Sequence, residues 1–95
     1  MKYYRTYWKQ KHSEFPIWIF SEINKDRFDT RRLEVFEDGS AKYFDKLTPF
    51  DVGVSQYPEN VDEVNNDELY LKEITLEDFE EALSHYDLDT IRGER

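Results

Sequence analysis

Asp38-Gly39 constrains this chain more than any other pair of residues. It stands between the apolar run ending at Phe36 and the alternating stretch Ala41–Phe44. Glycine tolerates the positive φ of a tight reversal, so the pair marks a β-hairpin. The segments before it have the same character. Residues 2–9 alternate, with Tyr4, Thr6 and Trp8 on one side and Tyr3, Arg5 and Tyr7 on the other. Residues 10–14 are polar and read as a loop. Residues 15–23 are β-branched and aromatic, as in a strand buried on at least one face. Asn24-Lys25-Asp26 suits a turn, and residues 28–36 then place Leu33 and Val35 opposite Arg32, Glu34 and Phe36. Four sequential strands joined in this way predict an antiparallel meander.

The second half changes character. Pro49, Gly53 and Pro58 punctuate residues 46–58, which show no sustained period and read as a loop. Residues 61–65 fit one helical turn. Leu69–Ile74 reads as a fifth strand or as an extension of the neighbouring helix. Thr75 opens the clearest helix, with Asp78 three positions on as a weaker form of the capping box. Leu76, Phe79, Leu83 and Tyr86 form its apolar stripe, with Ala82 beside them, and Glu77 and Asp78 lie at the positive end of its dipole. Residues 87–95 form a short polar tail. The expected class is α+β: one domain, with a four- to five-stranded antiparallel sheet packed on one face by a C-terminal helix.

Charge divides the chain as sharply as pattern does. Residues 1–45 carry nine Lys/Arg and eight Asp/Glu, for +1; residues 46–95 carry four and fourteen, for −10. Ten carboxylates and one lysine lie between Glu59 and Glu81. Such a field disfavours nucleic acid and anionic membrane as partners, and favours a basic protein surface. The sixteen aromatics among 95 residues supply enough burial to argue against disorder despite the charge. With no cysteine there is no disulfide framework, thiolate metal site or cysteine nucleophile. No apolar run approaches membrane-spanning length, and residues 1–5 lack a secretion signal's apolar core, so a cytoplasmic location is expected.

No catalytic constellation stands out, and the expectation is a binding protein rather than an enzyme. Ser84-His85-x-Asp87 holds the residue types of a nucleophilic triad, but adjacent helical positions point in different directions. The three glycines are isolated, so no phosphate-binding loop exists. Asp62-x4-Asp67 lacks the alternating oxygen ligands and central glycine of a calcium loop, and no metal or cofactor is expected. The acidic stretch itself reads either as a solvated face or as a docking surface. In the second reading Glu59, Asp62, Glu63, Asp67 and Glu68 steer a partner, helped by Glu77, Glu80 and Glu81 on the helix. Tyr57 or Tyr70 then supplies apolar contact. Exposed aromatics of the sheet offer a second possible patch: Trp18 and Phe20 alternate with Ile17 and Ile19, so one pair faces away from the helix. Arg31-Arg32, beside Asp29 and Glu34, suits cross-strand ion pairs.

Met1-Lys2-Tyr3, Trp8, the apolar residues 17–20, Ser21-Glu22 and Asp26-Arg27-Phe28 together resemble a family of small bacterial domains of unknown function. Leu33-Glu34-Val35-Phe36 with Asp38-Gly39 continues the likeness, as does Glu73-Ile74-Thr75-x-Glu77-x-Phe79 at the last strand-to-helix join. The resemblance implies a fold and carries over no catalytic residue. In size, acidity and lack of cysteine the chain is also similar to immunity proteins of bacterial toxin–immunity systems. That likeness implies a monomer that neutralises a cationic toxin domain, such as a nuclease, in a heterodimeric complex. The alternatives are a small metal-dependent enzyme built on the acidic cluster and an interaction domain that homodimerises through a sheet edge.

Overall fold

A computed structural model describes residues 1–48, 50 and 56–86, apart from the side chains of residues 61 and 62. Its strands are β1 (Lys2–Trp8), β2 (Trp18–Ile23), β3 (Asp29–Val35), β4 (Ala41–Phe44) and β5 (Leu69–Ile74). They form one antiparallel sheet in the order β4-β3-β2-β1-β5. The first four are the expected meander. The fifth returns to the free side of β1, which settles the ambiguous 69–74 segment as strand. A 3-10 turn, Val61–Val64, precedes β5, and helix α1 (Leu76–Ser84) follows it, so the class is α+β.

Local chemistry accounts for the joins. Gly39 has φ +87°, and the reversal closes through Phe36 N–H to Ser40 O at 2.8 Å and Gly39 N–H to Phe36 O at 3.0 Å. The Asp38 carboxylate accepts the Ser40 N–H at 2.9 Å. At the β2–β3 turn, Asn24 Oδ1 accepts the N–H groups of Asp26 and Phe28. The second strand starts at Trp18, later than the apolar run from Phe15 suggests, because Pro16 has no N–H to give a ladder. Thr75 and Asp78 form the reciprocal capping box, at 3.1 and 3.2 Å.

Strand register sorts the side chains into two faces. Tyr3, Arg5, Tyr7, Trp18, Phe20, Glu22, Arg31, Leu33, Val35, Tyr43, Tyr70 and Ile74 share the face under α1. There Phe79 and Leu33 are fully buried, with Leu83, Val35 and Ala41 around them. Burying the Phe79 ring contributes roughly 2–3 kcal/mol. Trp18 and Phe20 therefore face the helix, and Ile19 faces away. Leu76, counted in the apolar stripe, is 39% exposed and lies outside that core. Tyr4, Thr6, Ile19, Ser21, Ile23, Leu69 and Leu71 occupy the second face.

Both polar networks of the sheet depend on a register shift between Glu22 and Ile23. Glu22 pairs with Arg31 and Ile23 with Asp29, so Thr30 is the extra residue of a bulge. The bulge turns Asp29 to the face of Arg32, whereas strict alternation places it with Arg31. The ion pairs of Arg31 and Arg32 thus lie on opposite faces: Arg31 reaches across the ladder to Glu22 at 2.8 Å, as expected, whereas Arg32 pairs within its own strand, with Asp29 at 2.7 Å and Glu34 at 3.3 Å, because the bulge brings Asp29 to its side.

The outer edge of β5 is closed by side chains. Asn65 Oδ1 accepts the Leu71 N–H at 2.7 Å while its Nδ2 donates to Leu71 O at 3.1 Å. Asn66 does the same one step earlier, its N–H reaching Leu69 O at 2.9 Å and its Oδ1 accepting from Leu69 N–H at 3.0 Å. Two asparagines so occupy hydrogen-bonding positions that a second strand would need. Residues 49 and 51–55 of the expected 46–58 loop, and the tail from residue 87 with Asp87 of the rejected triad, lie outside the described residues. Among the described residues no helix is long and apolar enough to cross a membrane.

Candidate functional site

Carboxylates in the first half of the chain are largely engaged within the fold. Glu22 accepts from Tyr3 Oη, Thr30 Oγ1 and Arg31 Nη2 at 2.9, 2.7 and 2.8 Å. The Arg31 guanidinium holds its carboxyl down at about 2. Asp29 and Glu34 share Arg32, and Glu14 lies 3.5 Å from His12. The second half contrasts with this. Glu63, Asp67, Glu68, Glu73, Glu77, Glu80 and Glu81 are exposed and make no ion pair among the described residues. Glu59 is the exception, reaching Arg27 at 3.6 Å from a largely exposed position.

The sheet splits this acidic field in two. Glu63, Asp67 and Glu68 sit on the 3-10 turn and the bend that feeds β5, where Val64 and Leu69 pack on the second face. Glu77, Glu80 and Glu81 ride on α1 over the first face. Asp62 lies in the 3-10 turn, and its side chain is outside the described set. Tyr70 also belongs to the first face, half-exposed and paired across the ladder with Tyr7. Tyr7 in turn meets Trp18 at 4.9 Å, and Arg5 lies over the Trp18 ring at 5.5 Å.

Tyr57 corrects the expectation most directly. Rather than offering an outward apolar contact, its ring stacks on Tyr4 at 5.5 Å and its hydroxyl lies 2.8 Å from Ser21 Oγ. Its backbone is clamped by Arg27, with Tyr57 N–H to Arg27 O at 2.7 Å and Arg27 Nε to Tyr57 O at 2.8 Å. Burial pushes its phenol up to about 12. Tyr57 closes the second face and walls a cavity there.

That cavity, of about 310 Å³, has apolar walls from Ile19, Pro58, Val64, Leu69 and Leu71. Asp29 and Arg32 also line it. The Asp29 side chain is 1% exposed, and only Oδ2 is engaged, by Arg32 Nε at 2.7 Å. Its other oxygen, Oδ1, is buried without a hydrogen-bond partner. Burial raises the Asp29 carboxyl above its ordinary value, and the Arg32 charge opposes that rise. Arg32 also donates to Glu34 at 3.3 Å. A buried carboxylate oxygen left open is costly, because its desolvation has no compensating bond.

Two other recesses are wider and differently lined. One, of about 430 Å³, runs past Lys2, Lys25, Arg27 and Glu59; the other, of about 370 Å³, mixes Arg5, Lys72 and His85 with Glu73, Asp78 and Glu81. Neither contains a buried side-chain polar atom lacking a partner, and the 310 Å³ cavity is singled out on that ground rather than on size. No group of three or more His, Asp or Glu among the described residues is placed to hold a metal ion.

Asp29, Arg32 and Glu34 were not marked as site residues by the sequence, where they read as ordinary ion-pairing partners. The signal was present only as Asp29 three positions before Arg32, which reaches one face through the bulge.

Fold and site together define a small α+β sheet domain with an apolar cavity on one sheet face and exposed carboxylates that are unpaired among the described residues. The chain belongs to the family described as domain of unknown function DUF6881, whose model matches residues 2–87. No curated protein and no solved structure matches it.

Proposed function

We propose that this domain is a stoichiometric inhibitor of a basic protein, acting as the immunity partner of a cationic toxin domain in the cytoplasm. The observation that carries this reading is the set of exposed, unpaired carboxylates Glu63, Asp67 and Glu68 beside the second-face cavity. Acids that stabilise the fold hold partners, as Glu22 and Asp29 do; these hold none, and their mutual repulsion is relieved when cations of another molecule approach. The field steers the encounter and sets the association rate, while burial at the cavity slows dissociation. Asparagine closure of the β5 edge weighs against homodimerisation along that strand.

Co-expression with the toxic domain of a protein encoded beside this one tests the reading. Growth should be restored, and the two purified proteins should form a one-to-one complex. Replacing Glu63, Asp67 and Glu68 together by lysine should abolish protection and leave the unfolding curve nearly unchanged. A triple variant that protects as well as the parent overturns the proposal.

A further inference from the structure

We infer that the second-face cavity receives a single cationic side chain, lysine or arginine, from the basic partner, and that Asp29 Oδ1 accepts its hydrogen bond. The inference rests on the proposed function and adds the point at which the partner is read. Its observation is separate from the acidic surface: a carboxylate 1% exposed, lining a cavity, with one oxygen lacking any partner.

The chemistry of the cavity selects this occupant. Ile19, Val64, Leu69 and Leu71 suit the methylenes of a long cationic side chain, which bury readily while the charged head seeks a polar contact. Asp29 and Arg32 line the cavity, and the Arg32 guanidinium is shared with Glu34 outside that lining, so two carboxylates stand against one guanidinium among the described charges. An entering cation balances that surplus and satisfies Oδ1 in one step. A neutral donor supplies only the hydrogen bond. Without such a counter-charge a buried cation is strongly unfavourable, and the cavity provides one. Glu63 and Glu68 adjoin the lining residues Val64 and Leu69, so the approach is acidic as well. By contrast, the 430 Å³ recess is lined by Lys2, Lys25 and Arg27 and repels the same group.

The test uses N-acetyl-arginine amide as the probe and the neutral N-acetyl-citrulline amide as its match in shape. Each is titrated into the isotope-labelled protein while backbone amide signals are followed. The arginine derivative should shift the amides of Ile19, Leu69 and Leu71 saturably. The citrulline derivative should bind at least about tenfold more weakly, a loss of about 1.4 kcal/mol. Asp29→Asn should remove the difference between the probes, and Val64→Trp should block both by filling the cavity while leaving every charge in place. If one variant fails to fold, the other carries the comparison. Equal binding of the two probes overturns the cationic assignment. Shifts confined to Glu63, Asp67 and Glu68 overturn the cavity inference and leave the acidic-surface reading standing. Shifts nowhere, alongside intact growth protection, overturn the inference alone.

Discussion

Replacing Glu22 by glutamine isolates a carboxylate that holds three donors at once, from Tyr3, Thr30 and Arg31. Glutamine mimics the protonated acid in size and shape, so the substitution removes the charge together with one of the two acceptor oxygens. The Arg31 hydrogen bond lowers the Glu22 carboxyl from 4.5 to about 2 in the folded protein. At about 1.4 kcal/mol for each pH unit, that difference is worth roughly 3 kcal/mol of stability near neutral pH. The sign follows from the direction of the shift. A folded value below the unfolded one stabilises the protein above about 4.5, and the stabilisation is lost as pH falls through about 2. Urea unfolding of parent and Glu22→Gln should therefore differ by about 3 kcal/mol near pH 7 and by only about 1 kcal/mol near pH 3. Combining Glu22→Gln with Arg31→Met should recover part of the loss, since the guanidinium is then no longer left without its anion. A gap below about 1 kcal/mol at neutral pH, or one that does not narrow on acidification, refutes the reasoning.

Three further substitutions probe other links. Tyr57→Phe removes the bond to Ser21 and should cost about 1 kcal/mol by thermal or urea unfolding, with the Tyr4 stacking intact. Thr75→Ala breaks the capping box and should cost about 1 kcal/mol, visible as reduced helical circular dichroism on mild heating. Asn65→Ala frees the Leu71 backbone groups at the β5 edge. Sedimentation at increasing concentration should then show self-association that the parent lacks, and a variant that stays monomeric removes the edge-closing role.

Much of the fold was legible because it rests on local chemistry. Asp38-Gly39 needs only its own backbone freedom to reverse the chain, and Thr75 with Asp78 closes its box within one helical turn. Leu69–Ile74 was ambiguous because six residues with mixed polarity fit two periods, and only pairing with β1 decides between them. Alternation could not tell whether Trp18 and Phe20 or their neighbours face the helix; the choice follows from Phe20 lying opposite Leu33 on β3.

The candidate site was legible only in charge. Glu63, Asp67 and Glu68 were marked by composition, and they are exposed, as a solvated face and a docking surface both require. The cavity was hidden because it depends on a bulge that moves Asp29 across the sheet, and no pattern in residues 28–36 announces an extra residue at Thr30. Tyr57 misled for a related reason. It sits in a stretch without periodicity, and its inward position comes from Arg27 and Ser21, 30 and 36 residues away. The acidic run looked like one field because its residues are close in sequence, yet β5 passes through the middle of it and sends the two ends to opposite faces.

The central claim is that the unpaired carboxylates around the second-face cavity are what a basic partner meets first. Stopped-flow association of the domain with the proposed basic toxin partner, as salt rises from about 20 to about 300 mM, tests it most directly, because screening shortens from roughly 20 Å to roughly 6 Å over that range. The rate should fall about tenfold or more for the parent and stay nearly flat for a Glu63→Gln, Asp67→Asn, Glu68→Gln triple variant. A parent rate that ignores salt, or a triple variant with the same salt dependence as the parent, contradicts the account.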